Sequence, residues 1–181
     1  SVLVGPGTYN ESIDFNGKQI VVLSTDGPSN TFINDNYKTV KFEHQEGPGA
    51  VFRGFTLAEE GDYGIYISEL AGPTLQDLVI INKTEAIHFY NYCDITLINV
   101  TITDNQYGIY GSYNSDIILT NSIFWYNNYS PIYINQPSSS ILISNSNIQG
   151  GEEGVFTTGG ITNWFDGNID SDPMFIDDSY I

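Results

Sequence analysis

Hydrophobic and polar positions along this chain repeat as a block of 22–24 residues. Five segments superpose at that spacing: Phe52-Arg53-Gly54-Phe55-Thr56-Leu57, Leu75-Gln76-Asp77-Leu78-Val79-Ile80, Leu97-Ile98-Asn99-Val100-Thr101-Ile102, Leu119-Thr120-Asn121-Ser122-Ile123-Phe124 and Ile143-Ser144-Asn145-Ser146-Asn147-Ile148. The steps between their first residues are 23, 22, 22 and 24. A repeat of this length is the signature of a solenoid. The third column holds Gly54, Asp77, Asn99, Asn121 and Asn145, the residue types that best tolerate a left-handed backbone. One such residue turns a sharp corner between two strands, and stacked asparagines there can hydrogen-bond from one coil to the next.

Strand alternation then assigns faces. Leu75, Leu97, Leu119 and Ile143 point inward before the corner. Phe55, Leu78, Val100, Ser122 and Ser146 point inward after it, Thr56, Val79, Thr101, Ile123 and Asn147 point out, and Leu57, Ile80, Ile102, Phe124 and Ile148 return to the core. A second strand recurs in phase: Gly64-Ile65-Tyr66, Ala86-Ile87-His88, Gly108-Ile109-Tyr110, Pro131-Ile132-Tyr133 and Gly154-Val155-Phe156. Its aliphatic column belongs to the core, which leaves Tyr66, His88, Tyr110, Tyr133 and Phe156 facing solvent. No segment carries a sustained helical period. The pattern predicts an all-β, single-stranded parallel β-helix of about six to seven coils, each rising ~4.8 Å. Residues 1–160 form the helix, with 1–50 as irregular first coils and 51–160 as regular ones. Strands are expected near 2–4, 12–15, 19–23 and 39–42, with a tight turn at Asn16-Gly17. Residues 161–181 read as an acidic exit segment.

The net charge is −17, with only Lys18, Lys38, Lys41, Arg53 and Lys83 opposing it. Such a chain repels nucleic acid and anionic membranes but tolerates neutral glycans and cations. The single cysteine, Cys93, excludes a disulfide framework. No run of 18 apolar residues is present, so membrane insertion through a helix is not expected. The chain opens on Ser1-Val2-Leu3-Val4, already strand-like, and stops on Ser179-Tyr180-Ile181. That reads as a piece of a longer protein.

The residues also resemble a known group, the pectin-lyase-like right-handed β-helix proteins, in particular a broad set of secreted bacterial members. Val4-Gly5-Pro6-Gly7-Thr8-Tyr9-Asn10-Glu11-Ser12-Ile13 is similar to that group's opening motif, and Arg53-Gly54-Phe55-Thr56-Leu57 to its first regular coil. Ser146-Asn147-Ile148-Gln149-Gly150-Gly151 and the segment from Gly167 to Asp177 resemble its exit. The resemblance implies right-handed winding and export to the bacterial cell surface or medium. It implies no particular activity, because one fold hosts many functions.

Candidate chemistry is sparse. A lyase of this fold needs a cationic base and usually calcium. Here the cations are scattered: Arg53 sits beside a corner, and Lys83 reads as a turn ion pair with Glu85. A hydrolase needs paired carboxylates, and Thr103-Asp104-Asn105, with Asn127 in the next coil, reads as a solvated turn. His88 interrupts the tyrosine column with no partner implied by spacing. His44 carries no visible motif, and Cys93 reads as a buried filler. Asp166, Asp170 and Asp172, with Asp177 and Asp178, offer hard oxygen ligands for calcium, the one candidate cofactor. Ice binding would need flat threonine ladders, which do not recur.

The aromatic column Tyr66, His88, Tyr110, Tyr133 and Phe156 is the most specific surface feature. It either stabilises the coils by stacking or binds a linear polysaccharide, with Tyr107, Tyr113, Trp125, Tyr126 and Tyr129 adding aromatic surface nearby. The leading expectation is a non-catalytic structural or adhesive module of an exported bacterial surface protein. The alternatives are a fragment of a polysaccharide lyase or glycoside hydrolase, and a filament subunit that self-associates end to end through open coil edges.

Overall fold

The computed structural model describes residues 1–176. The chain winds as a parallel β-solenoid of three strand rows. The first row runs through Val2–Val4, Val21–Ser24, Val51–Arg53, the leading part of Thr74–Ile80, the leading part of Ile95–Thr103, Asp116–Thr120, Ser140–Ser144 and Ile161–Trp164. The second runs through Gly7–Tyr9, Thr31–Ile33, Thr56–Leu57, the trailing parts of the same two long strands, Ile123–Trp125 and Asn147–Ile148. The third comprises Ile13–Asp14, Lys38–Phe42, Gly61–Ile67, Lys83–Tyr90, Tyr107–Ser112, Ser130–Ile134 and Val155–Thr157. Among the described residues all the pairings are parallel, and the one helical element is a short 3₁₀ turn at Gly151–Gly154.

The first two rows share a 13-stranded sheet, because Thr74–Ile80 and Ile95–Thr103 run through the corner without a break. The corner is the column expected from the sequence. Gly54, Asp77, Asn99, Asn121 and Asn145 have φ of 84°, 52°, 55°, 52° and 50°. Each bends the strand by one left-handed residue, so the pairing resumes in register two residues later, as with Gln76↔Ile98 and Leu78↔Val100. The core fills the centre. Phe52, Leu75, Leu97, Leu119, Ile141 and Ile143 from the first row meet Leu57, Ile80, Ile102, Phe124 and Ile148 from the second. Ile65, Ile87, Ile109, Ile132 and Val155 close it from the third.

The first two coils differ in length. Val2 pairs with Val22 and Val22 with Phe52, coils of 20 and 30 residues, and the regular 22–24 spacing starts only at Phe52. Their second-row strands, Gly7–Tyr9 and Thr31–Ile33, were not expected, because the repeating one-residue corner of the regular coils begins only at Gly54. At the other end Ile161–Trp164 pairs with Ser140–Ser144, and Ile169 bridges Asn147, so the winding continues past residue 160.

Two outward assignments fail. Thr56 is buried because its Oγ1 donates to the Pro28 carbonyl of the long second coil, 2.8 Å away. Asn147 is buried under the exit segment, with Nδ2 donating to the Ser171 carbonyl and Oδ1 accepting from the Ser171 N–H. In both cases a later or earlier stretch of chain covers a position that strand alternation leaves open.

Candidate functional site

The third row builds the aromatic face. In three successive coils two adjacent residues turn inward, Gly64-Ile65, Ala86-Ile87 and Gly108-Ile109, so the positions on either side of the pair share the outer face. Two columns result. Lys41, Tyr66, His88, Tyr110, Tyr133 and Phe156 lie in register, and beside them lie Lys38, Tyr63, Glu85, Tyr107 and Ser130. Glycine is needed at Gly108 because a Cβ there would sit 2.3 Å from the Pro131 carbonyl oxygen of the next coil.

In the first column the rings are stacked nearly parallel. Centroid separations are 4.9 Å for Tyr66–His88, 5.9 Å for His88–Tyr110, 5.3 Å for Tyr110–Tyr133 and 4.8 Å for Tyr133–Phe156, with interplanar angles of 8–12°. Tyr63 and Tyr107 meet this stack edge-on, at 5.3 Å from Tyr66 and 5.2 Å from Tyr110. The flat faces of the inner rings are therefore covered by their neighbours, and the ring edges point to solvent. The Lys38 ammonium lies 3.4 Å from the Tyr66 centroid and 2.7 Å from Glu43, closing the N-terminal end of the stack.

His88 has a partner that spacing did not reveal. Its Nδ1 lies 2.5 Å from Glu85 Oε2, since the inward pair brings positions 85 and 88 to one face. Three phenols of the face, Tyr63, Tyr66 and Tyr110, resist ionisation. Burial, then the negative charge of Glu85 and neighbouring groups, raises Tyr63 and Tyr110. Burial raises Tyr66 far above its ordinary value, followed by Tyr90, Glu43 and Tyr63.

The remaining candidates separate. Lys83 does not form a surface pair with Glu85. It is buried, its Nζ donating to the carbonyls of Asp35, at 3.1 Å, and of Glu59, and burial lowers its pKa. Arg53 Nε donates to Asp77 Oδ2 at 2.7 Å, and Asn99 Nδ2 donates to Asp77 Oδ1 at 2.9 Å. The Thr103-Asp104-Asn105 turn is not solvated. Thr103, Asn105 and Asn127 are buried, and only Asp104 is exposed. Asn105 Nδ2 donates to the carbonyls of Ile80 and Thr103, its Oδ1 accepts from the Lys83 N–H, and Asn127 Nδ2 donates to the Ile102 carbonyl. This inner ladder was visible in principle, since Lys83, Asn105 and Asn127 are spaced by 22 residues.

A serine ladder runs parallel to it. Val100 donates its N–H to Ser122 Oγ, Ser122 to Ser146 Oγ and Ser146 to Asn168 Oδ1. Cys93 is buried, and burial pushes its thiol up to about 12. Trp125 is also buried rather than part of the aromatic surface.

Asp166, Asp170 and Asp172 are exposed. Asp170 Oδ1 accepts the Gly150 N–H and Asp172 Oδ1 the Met174 N–H. Asp177 and Asp178 lie outside the described residues. Among the described residues, the one group of three ligating side chains gathered closely is Asp14, His44 and Glu46. No helix of the described residues is long and apolar enough to cross a membrane.

No curated protein and no solved structure matches the chain. A family model does match: that of the right handed beta helix region aligns with residues 39–172, well over half of the chain. The three parallel rows, the stacked corners and this match agree, and the chain belongs to the right-handed parallel β-helix family, of the pectin-lyase-like kind.

Proposed function

We propose that this chain is a non-catalytic rod of an exported bacterial surface protein, acting as spacer and adhesive surface and touching a linear polysaccharide through the aromatic face of the third row. The observation that carries the reading is the uninterrupted stack from Tyr66 to Phe156, four near-parallel ring contacts over five coils. Export is supported by the resemblance to secreted members, since proteins of this family are often extracellular. Four of the five cations that could serve a lyase as base are engaged elsewhere, Lys38, Lys41 and Arg53 in ion pairs and Lys83 on backbone carbonyls, and the fifth, Lys18, is exposed in the first coil, off the aromatic column from Tyr66 to Phe156. That favours binding over catalysis.

The geometry specifies the contact. Inner rings are covered on both faces, so a glycan meets their hydroxyl-bearing edges through hydrogen bonds. Sugar-ring stacking is left to the exposed rings at the margins, Tyr37, Tyr129 and Phe156. Affinity electrophoresis of the chain through a panel of embedded neutral, cationic and acidic polysaccharides tests this. Retardation on one gel is expected, weakened in Tyr110→Phe, which keeps the stack and removes one hydroxyl. Uniform mobility on every gel would overturn the reading. Release of unsaturated or reducing sugar ends would replace it with the enzymatic one.

A further inference from the structure

We propose that Asp14, His44 and Glu46 bind one divalent first-row transition-metal ion, with Zn²⁺ as the fitting probe, and so staple the first coil to the second. The site is distinct from the aromatic face. Asp14 ends the third-row strand of the first coil, Ile13–Asp14, and His44 and Glu46 follow Lys38–Phe42 of the second. One ligating atom from each of the three lies within 4.8 Å of the other two.

Glu46 is the fixed member. Its side chain is fully buried, with Oε1 accepting the Gly17 N–H at 2.8 Å and Oε2 the His44 N–H at 2.9 Å. Each oxygen keeps a lone pair. Yet among the described residues no lysine or arginine forms an ion pair with this carboxylate. A buried carboxylate without a counter-cation is costly, and a bound cation is the direct remedy. The His44 imidazole is exposed, and among the described residues neither of its ring nitrogens is hydrogen-bonded, so it is free to ligate. Asp14 Oδ1 accepts the Asn16 N–H at 2.8 Å, while Oδ2 already holds the Lys41 ammonium at 3.1 Å. Lys41 shows that this spot draws positive charge, and it is also the competitor that a metal ion must displace.

The donor set chooses the ion. One imidazole nitrogen with two carboxylate oxygens suits zinc and its first-row neighbours, whereas calcium prefers six or more oxygens. The two exposed side chains, Asp14 and His44, supply the adjustment that brings the ligands to bonding distance, while Glu46 stays fixed.

Isothermal titration of the metal-free full chain with Zn²⁺ tests the proposal. One saturable equivalent and a higher Tm are expected, with no comparable shift from Ca²⁺. His44→Ala, on an exposed turn, should weaken binding by about tenfold or more, and Lys41→Met should tighten it by removing the competitor. Asp170→Asn should leave it unchanged. X-ray absorption of the loaded protein should report a single imidazole. Loss of the single saturable equivalent, an undiminished affinity in His44→Ala or a weaker one in Lys41→Met would each overturn the site.

Discussion

Asn105 and Asn121 are the same amino acid with opposite fates. Asn121 occupies a corner, exposed, with its backbone in the left-handed region at φ 52°. Asn105 is buried and satisfies three backbone groups of the coils around it. Removing the Asn105 amide strands those groups away from water, so Asn105→Ala should destabilise by about 3 kcal/mol. Asn121→Ala keeps the backbone strain without the residue best suited to it, which costs about 1 kcal/mol. Asn121→Gly should cost almost nothing. Urea unfolding of the three variants checks the ranking. Position in the repeat identified the corner from the sequence. It did not show that the asparagines six residues on, Asn105 and Asn127, turn inward, because a polar residue in a turn is ordinarily solvated and only the neighbouring coils close over this one.

At the scale of the element, the third row is held by its stack as well as by its ladder of backbone hydrogen bonds. Tyr110 touches His88, Tyr133 and Tyr107, whereas Phe156 ends the stack and touches Tyr133. Aromatic pairs contribute about 0.5–1.5 kcal/mol each. Tyr110→Ala should therefore lower stability by about 2 kcal/mol or more, and Phe156→Ala by roughly half as much. Equal losses at the two positions, measured by chemical denaturation, would overturn this ranking. Gly108→Ala should cost about 2–3 kcal/mol, since its Cβ meets backbone that is itself paired. The first column was legible from strand alternation alone. The second column, Tyr63, Glu85 and Tyr107, was not, because the paired inward residues break the alternation and shift those positions onto the same face.

For the whole molecule the acid–base groups set a pH response. Tyr63, Tyr66 and Tyr110 keep their protons in the folded rod above the ordinary value of 10.0. The unfolded chain gives those protons up near pH 10.0, so this contribution is fully present below that pH and is lost as pH rises toward the folded values. Lys83 acts oppositely. Its folded pKa lies below 10.5, so the unfolded chain binds the proton more tightly, and stability from this group rises with pH until 10.5 and then levels. Above about pH 10.5 the tyrosine effect remains, joined by that of Cys93, whose buried thiol is pushed up to about 12 and so keeps its proton past the unfolded value of 9.0. The urea midpoint should begin to fall above pH 9.0 through Cys93 and fall more steeply beyond pH 10.0, where the drop tracks tyrosinate absorbance. In Lys83→Met any rise below pH 10 should vanish while the alkaline fall persists. Asp14 contributes at the acid end. Burial favours its protonation, but the Lys41 hydrogen bond, the Asn16 N–H and the charges of Lys41 and His44 together hold it below 3.8.

By itself the sequence determined the winding. A corner residue every 22–24 positions, with apolar side chains alternating around it, admits one stacked arrangement, because any other register would expose the core columns from Phe52 to Ile148. It also determined the outer place of Tyr66, His88, Tyr110, Tyr133 and Phe156. What only the tertiary structure decided lies wherever one coil touches another off the regular phase: the burial of Lys83 on two earlier coils, the pairing of Glu85 with His88, and the meeting of Asp14 with His44 and Glu46. The physical reason is that a repeat pattern reports what each residue does within its own coil, whereas these contacts depend on loop lengths and inward pairs that set which side chains from different coils share a space.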